Sequence, residues 1–231
     1  MSGSTFRGNI KLINSSAHLC VSRHGETDWN ISGILQGWTD VLLNDLGRKQ
    51  AYELAEAVSC CRISHVYSSP LRRSLETAEI IARELGLKPP TCHDGLKERN
   101  FGVIQGVPKA ELNPEYLEQI VKRNPACYFD HGETMDGFAN RVLDAVSNIA
   151  KNHPGERVLV ITHGWVMDVI TRHILGLPPS AILNMKRKNG ECLSLSATED
   201  SIRLLSEDGD LPGFGTCSCS EKQQRLLCRS A

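Results

Sequence analysis

The sequence has no apolar run approaching the ~20 residues of a membrane-spanning helix. It has no excess of either charge. Its 26 Lys and Arg stand against 27 Asp and Glu, a formal net charge of -1. That balance excludes a broadly basic nucleic-acid binder and an acidic disordered chain, so neither nucleic acid nor membrane is expected as a partner. No CxxC pair occurs among its nine cysteines, whose number is odd and whose spacing is irregular. Neither a disulfide framework nor a four-ligand zinc site is indicated, and the expectation is reduced thiols in the cytoplasm. Cys217 and Cys219 form a CxC that alone lacks the ligands of a structural zinc. There is no internal repeat, no low-complexity block, no GxxxxGK loop and no GxGxxG fingerprint. Asp208-Gly209-Asp210 starts like a calcium loop but lacks the remaining ligands. Met1 to Ser16 has no apolar stretch and is not a secretory signal, although its Ser-rich, acid-free composition is shared with organelle transit peptides.

What is present is ordinary for a globular chain of 231 residues: 40% hydrophobic and 23% charged. Ala17 to Ser22 reads as a buried strand. A helix starts at Asn44 or Asp45, both good caps, and runs to about Ser59. His65 to Tyr67 is a second strand. Ser69-Pro70 reads as a cap followed by proline at the first helical position, opening a helix that Gly86 stops. Pro108 to Lys122, interrupted by Pro114, and Met135 to Lys151 are further helices. Arg157 to Thr162 is an apolar run suited to the centre of a parallel sheet. Val166 to Leu175 is an apolar helix closed by Gly176 and Pro178, and Cys192 to Ser196 with Ile202 to Leu205 suggests a hairpin or edge strands. Strands alternating with helices predict an α/β sandwich. The expected organisation is a flexible segment over 1–16, one domain over 17–205 and a tail over 206–231.

Parallel sheets carry their sites at the carboxyl ends of strands. Two of the expected strands end in the same dipeptide, His24-Gly25 and His163-Gly164. Arg23 precedes the first. Glycine permits close backbone approach, and a helix starting after Gly164 offers free N–H groups to an anion. A single histidine is more often a satisfied core or surface residue. Two His-Gly pairs at strand ends shift the balance toward chemistry.

Arg23-His24-Gly25-Glu26-Thr27 with Asn30 resembles the signature of the histidine phosphatase superfamily, in its phosphoglycerate mutase-like branch. The resemblance continues through Leu35-Gln36-Gly37-Trp38-Thr39-Asp40, Ser68-Ser69-Pro70-Leu71-Arg72-Arg73-Ser74 with Thr77, Leu96-Lys97-Glu98-Arg99, Gly132-Glu133-Thr134 and Thr162-His163-Gly164. It implies a three-layer α/β/α sandwich with a mostly parallel central sheet. It also implies His24 as the nucleophile, Glu98 as proton donor to the leaving oxygen, and Arg23, Arg73 and His163 as the phosphate clamp. Asn30, Gln36, Gly37 and Gly164 would contact phosphate or substrate. The roles are chemically reasonable. Phosphoryl transfer spreads charge over the equatorial oxygens, which arginine forks match in pairs. A neutral imidazole is a competent nucleophile, and a poor alkoxide leaving group needs an acid. The resemblance implies no cofactor and no metal.

In register with the family pattern, Arg73 is the phosphate ligand and Arg72 a solvated neighbour. Glu26 reads as a structural partner, and Glu98 is preferred as acid over Glu26 and Glu133. Lys186-Arg187-Lys188 reads as a solvated surface face. His131 reads as an exposed loop residue, with a substrate contact the alternative. Mutases of this branch carry paired arginines after the acid loop, absent from the short stretch between Val107 and Asp130. The expectation is therefore a metal-independent phosphatase acting on small phosphorylated metabolites through a phosphohistidine. Phosphoglycerate mutase is the alternative, and a non-catalytic phosphate-recognition domain a further one. The sequence does not indicate whether the chain is a monomer or a homodimer.

Overall fold

A computed structural model of the protein describes residues 15–122, 124, 128–183 and 187–205. The expected tail, the CxC and Asp-Gly-Asp motifs and nearly all of the expected N-terminal segment lie outside the described residues. Six strands form one sheet: β1 (Ala17–Arg23), β2 (His65–Ser68), β3 (Thr91–Cys92), β4 (Arg157–Thr162), β5 (Cys192–Ala197) and β6 (Ile202–Leu204). Their order is β3-β2-β4-β1-β5-β6. The pairs from β3 to β1 are parallel, and the β5–β6 hairpin adds an antiparallel edge.

The pleat explains why β1 and β4 are apolar throughout. Leu19 and Val21 of β1 and Val158 and Val160 of β4 point to one face, where α5 (Met135–Asn152) and α6 (Gly164–Ile174) cover them with Phe138, Val142, Val146, Met167 and Ile170. Cys20, Leu159 and Ile161 point to the other. There α2 (Asp45–Val58) and α3 (Arg72–Glu84) supply Leu54, Val58, Ala78 and Ile81. The result is the expected three-layer α/β/α sandwich. A separate cluster of Leu35, Phe101, Ile104, Leu112, Ile120 and Phe129 forms over the loops and the short helix α4 (Pro114–Lys122). Among the described residues no helix is long and apolar enough to cross a membrane.

Most element boundaries follow local chemistry. Asn44 caps α2 by accepting the Gly47 N–H, and Thr134 caps α5 by accepting the Gly137 N–H. Gly86 ends α3 with a paired return, Gly86 N–H to the Arg83 carbonyl and Leu87 N–H to the Ala82 carbonyl. Three starts differ from expectation. α3 begins at Arg72, with Leu71 rather than Ser69 at its cap position. Ser69 instead extends the sheet: its N–H donates to Ile161 and its hydroxyl lies 2.8 Å from His163 Nε2. Pro114 opens α4 instead of interrupting a longer helix, because Asn113 accepts the Tyr116 N–H as a cap and proline needs no N–H partner in a first turn. α6 starts at Gly164, directly after His163, two residues earlier than the apolar pattern indicates.

One close approach fixes the loop after β1. A Cβ on Gly25 would lie 2.3 Å from the Gly47 carbonyl oxygen, and a Cβ on Gly47 would lie 2.1 Å from that of Glu26. The first turn of α2 therefore packs backbone against backbone on the His24 loop. Only glycine at both positions allows it.

Candidate active site

β1 and β4 are parallel neighbours, so the residues that follow them emerge side by side. The His24 and His163 rings sit edge to face with centroids 5.2 Å apart, both buried. His24 Nδ1 lies 2.6 Å from the Gly25 carbonyl, and Arg73 Nε lies 3.3 Å from His24 Nε2. A carbonyl only accepts and a guanidinium only donates. Nδ1 must therefore carry the proton, and Nε2 must present its lone pair. Arg73, 1% exposed, is further held by the carbonyls of Gly37 and Thr39 at 2.8 and 2.9 Å. Of the two adjacent arginines, Arg73 is the one beside His24, and Arg72 is exposed.

A cavity of about 480 Å³ opens at this point. Arg23, His24, Asn30, Gln36, Gly37, Arg73, Glu98 and Gly164 all line it. His163 does not. It packs edge-on against His24, with Nε2 on Ser69 and Nδ1 without a partner. Arg23 Nε and Gln36 Oε1 are likewise buried without partners. The N-terminus of α6 carries no side-chain cap, and Gly164 in its first turn faces the cavity. The start of α6, the orphaned Arg23 Nε and two guanidiniums, Arg73 buried and Arg23 half-buried, in one concavity suit an oxyanion.

Electrostatics agree. Burial pushes Arg73 down to about 10 and also lowers Arg23, so both remain cations. Burial, and then Arg73 and Arg23, hold His24 well below the usual histidine range. His163 is lowered for the same leading reasons. Burial raises Glu98 against the opposing pull of Arg73 and Arg23. The cavity thus holds a neutral imidazole, cations and a carboxyl group that retains its proton above the usual pH.

Glu26 and Glu133 hold other positions. Glu26 faces the cavity rim, but its carboxylate accepts from Asn44 Nδ2 at 3.0 Å, as a structural partner would. Glu133 forms a two-point ion pair with Arg141 at 2.6 and 2.7 Å and accepts the Asn100 N–H. Arg141 also donates to the carbonyls of Gly95, Lys97 and Glu98, while Trp38 Nε1 donates to the Glu98 carbonyl at 2.7 Å. The backbone of Glu98 is therefore clamped from two sides. The sequence reading missed this brace, because nothing in the spacing of Trp38, Glu98 and Arg141 joins them.

Arg187 corrects an expectation. It is not solvated: only 8% exposed, it pairs with Asp168 and Glu191 and lines the cavity. Its basic neighbours make it look like a surface run, but acids on α6 and before β5 draw it inward. Asn189, also unforeseen, donates to the His24 carbonyl at 2.8 Å and lines the cavity. Lys109, Phe101 and Trp165 complete much of the wall. His131 is exposed, with φ +63°, and is not among the lining residues.

The sequence profile of the histidine phosphatase superfamily (branch 1) matches residues 19–208. Phosphoglycerate mutase-like protein 4 of Arabidopsis thaliana is 42% identical over 156 residues, 65% of this chain and 68% of the relative. A metal-independent phosphoserine phosphatase of the same organism is 38% identical over 167 residues, 70% of each chain. Among solved structures, a mutant phosphoserine phosphatase from Entamoeba histolytica in complex with phosphoserine superposes with a TM-score of 0.72 at 26% identity, covering 82% of this chain and 95% of that one.

Proposed function

The chain belongs to the histidine phosphatase superfamily, and from that premise we propose that it is a metal-independent phosphatase that hydrolyses small phosphorylated metabolites through a phosphohistidine on His24. The observation that carries this reading is the fixed tautomer of His24: proton on Nδ1, held by Gly25, and lone pair on Nε2, facing the arginine-lined cavity.

The chemistry follows in two steps. The phosphoryl group of a monoester sits against Arg23, Arg73 and the N-terminus of α6, with Asn30, Gln36 and Gly37 at its edges. His24 Nε2 attacks phosphorus and the ester P–O bond breaks. Glu98 gives its proton to the departing oxygen, and the ring's positive charge is shared with the Gly25 carbonyl through Nδ1–H. Water then attacks the phosphohistidine and loses a proton to the Glu98 carboxylate. The P–N bond breaks, inorganic phosphate leaves and His24 is neutral again. The guanidiniums supply the charge stabilisation that a metal supplies elsewhere. His163 acts as a neutral group that fixes Ser69 and packs edge-on against the His24 ring.

A second reading, phosphoglycerate mutase, is favoured by the name of the 42%-identical relative. The phosphoserine phosphatase relatives favour hydrolysis and a small substrate bearing a phosphate ester. The thiols of Cys20, Cys92 and Cys192, none of them in a disulfide, fit a cytoplasmic setting. Phosphorus NMR on a panel of small esters in EDTA separates the readings. The panel includes phosphoserine and 3-phosphoglycerate with a trace of the bisphosphate, and His24→Ala serves as blank. Inorganic phosphate is the expected product, absent from the blank. Phosphoglycerate interconversion without phosphate release establishes the mutase instead. Activity that is lost in EDTA and restored by magnesium overturns metal independence.

A further inference from the structure

The parallel strands have a second end. β4 has six residues, so at ~3.3 Å each its amino end lies about 20 Å from the cavity. Three potential ligands converge there from distant stretches of chain. His65 is the first residue of β2, and His153 and Glu156 flank the turn that joins α5 to β4. We propose that His65, His153 and Glu156 form a site for one divalent transition-metal ion of the zinc class, on the end of the sheet opposite the catalytic cavity.

The geometry carries the proposal. Nδ1 of His65 and Nδ1 of His153 both point at the same carboxylate oxygen, Glu156 Oε2, at 2.9 and 3.0 Å. The three ligand atoms all lie within 4.8 Å of one another. A tetrahedral zinc with ~2.0–2.1 Å bonds needs its ligands about 3.3 Å apart, an opening of a few tenths of an ångström for each histidine–Glu156 pair. The turn is rigid. Glu156 N–H donates to the His153 carbonyl, with Pro154 at the second position and Gly155 at φ +76° at the third, as in a type II turn. That turn places residues 153 and 156 facing each other before any ion arrives. Tyr67, two residues along β2 from His65, places its hydroxyl 2.9 Å from His153 Nε2. When Nδ1 ligates, Nε2 must carry the proton, and the tyrosine oxygen accepts it. This is the outer partner that ligating histidines characteristically have. His153 is buried, whereas His65 is exposed and leaves the fourth position to water. Two imidazoles and one carboxylate suit zinc, cobalt or copper rather than magnesium or calcium.

An ion here ties the start of β2 to the α5–β4 turn. Its effect belongs to stability and not to turnover, because binding to the folded state alone raises the melting temperature by mass action. The probes are cobalt(II) and zinc(II), added to chelator-stripped full-length protein kept reduced. The expected result is one equivalent of cobalt bound with visible d–d bands and no thiolate charge-transfer band, displaced by zinc. Zinc should also raise the melting temperature. Both signals should disappear in His65→Ala and in Glu156→Gln, while the far-ultraviolet circular dichroism spectrum and cooperative melting of the metal-free protein are kept, showing that the variants are folded. A thiolate band, undiminished binding in both variants, or no cobalt bound at micromolar protein overturns the assignment. Phosphatase failure in the panel above leaves this test unaffected.

Discussion

His24 is uncharged through the neutral range because burial, then Arg73 and Arg23, push it well below 6.5. Glu98 keeps its proton above 4.5 because burial outweighs the same two arginines. Attack needs the neutral imidazole, and departure of the alcohol needs the protonated carboxyl. The acid limb of kcat/KM therefore lies below pH 6.5, and the alkaline limb belongs to Glu98. Glu98→Gln should abolish that limb and lower kcat/KM for alkyl esters about 10²–10⁴-fold while sparing kcat/KM for aryl phosphates, whose leaving groups need no acid in the first step. Equal losses on both substrates, measured side by side, contradict the role. Arg141 touches only protein, so it is a positioning residue. Arg141→Met should lower kcat for alkyl esters far more than it raises KM, because the Glu98 backbone loses its clamp while the phosphate ligands stay in place. A loss confined to KM argues against this. The residue types at His24, Glu98 and Arg73 were legible in the sequence because each belongs to a local motif. Arg187 was misread and Asn189 missed, because their positions depend on Asp168, Glu191 and the His24 carbonyl, which only the fold brings near.

At the scale of elements, continuous apolar runs located β1 and β4, and caps with helical spacing located α2 and α5, within a residue or so, since the two strands are covered on both faces and each helix on one. The starts of α3 and α4 were harder to read. Ser69 offers the same hydroxyl to a helix cap or to His163, and only the packed sheet decides between them. The contact between the His24 loop and α2 is likewise invisible in sequence, although the two glycines that permit it are plain. Gly47→Ala places a methyl carbon 2.1 Å from the Glu26 carbonyl oxygen, which is backbone and cannot swing aside. The strain should cost about 1–3 kcal/mol, read as a lower denaturant midpoint, and should displace the His24 loop enough to depress turnover. An unchanged midpoint contradicts the packing described.

The whole molecule sets its most reactive groups at one end of a sheet whose two faces are sealed by helices, and that burial has a measurable consequence for stability. His24 and His163 are both held below 6.5 in the folded state by desolvation first. The unfolded chain then binds more protons than the native one as pH falls below 6.5, so stability must drop there as pH is lowered. Glu98 works in the opposite sense, since its raised value favours the protonated native state above 4.5. Urea midpoints should fall as pH drops below 6.5, and the fall should be shallower in His163→Asn; an identical slope contradicts the buried neutral pair. The central claim, that phosphate passes through His24, is tested most directly by rapid acid-free quenching during turnover, followed by mass spectrometry of the peptides. The account predicts a base-stable, acid-labile phosphoryl group on the peptide bearing His24, formed faster than phosphate is released and absent from His24→Ala. Full-rate phosphate release by His24→Ala, or a phosphoryl group on any other residue, contradicts it.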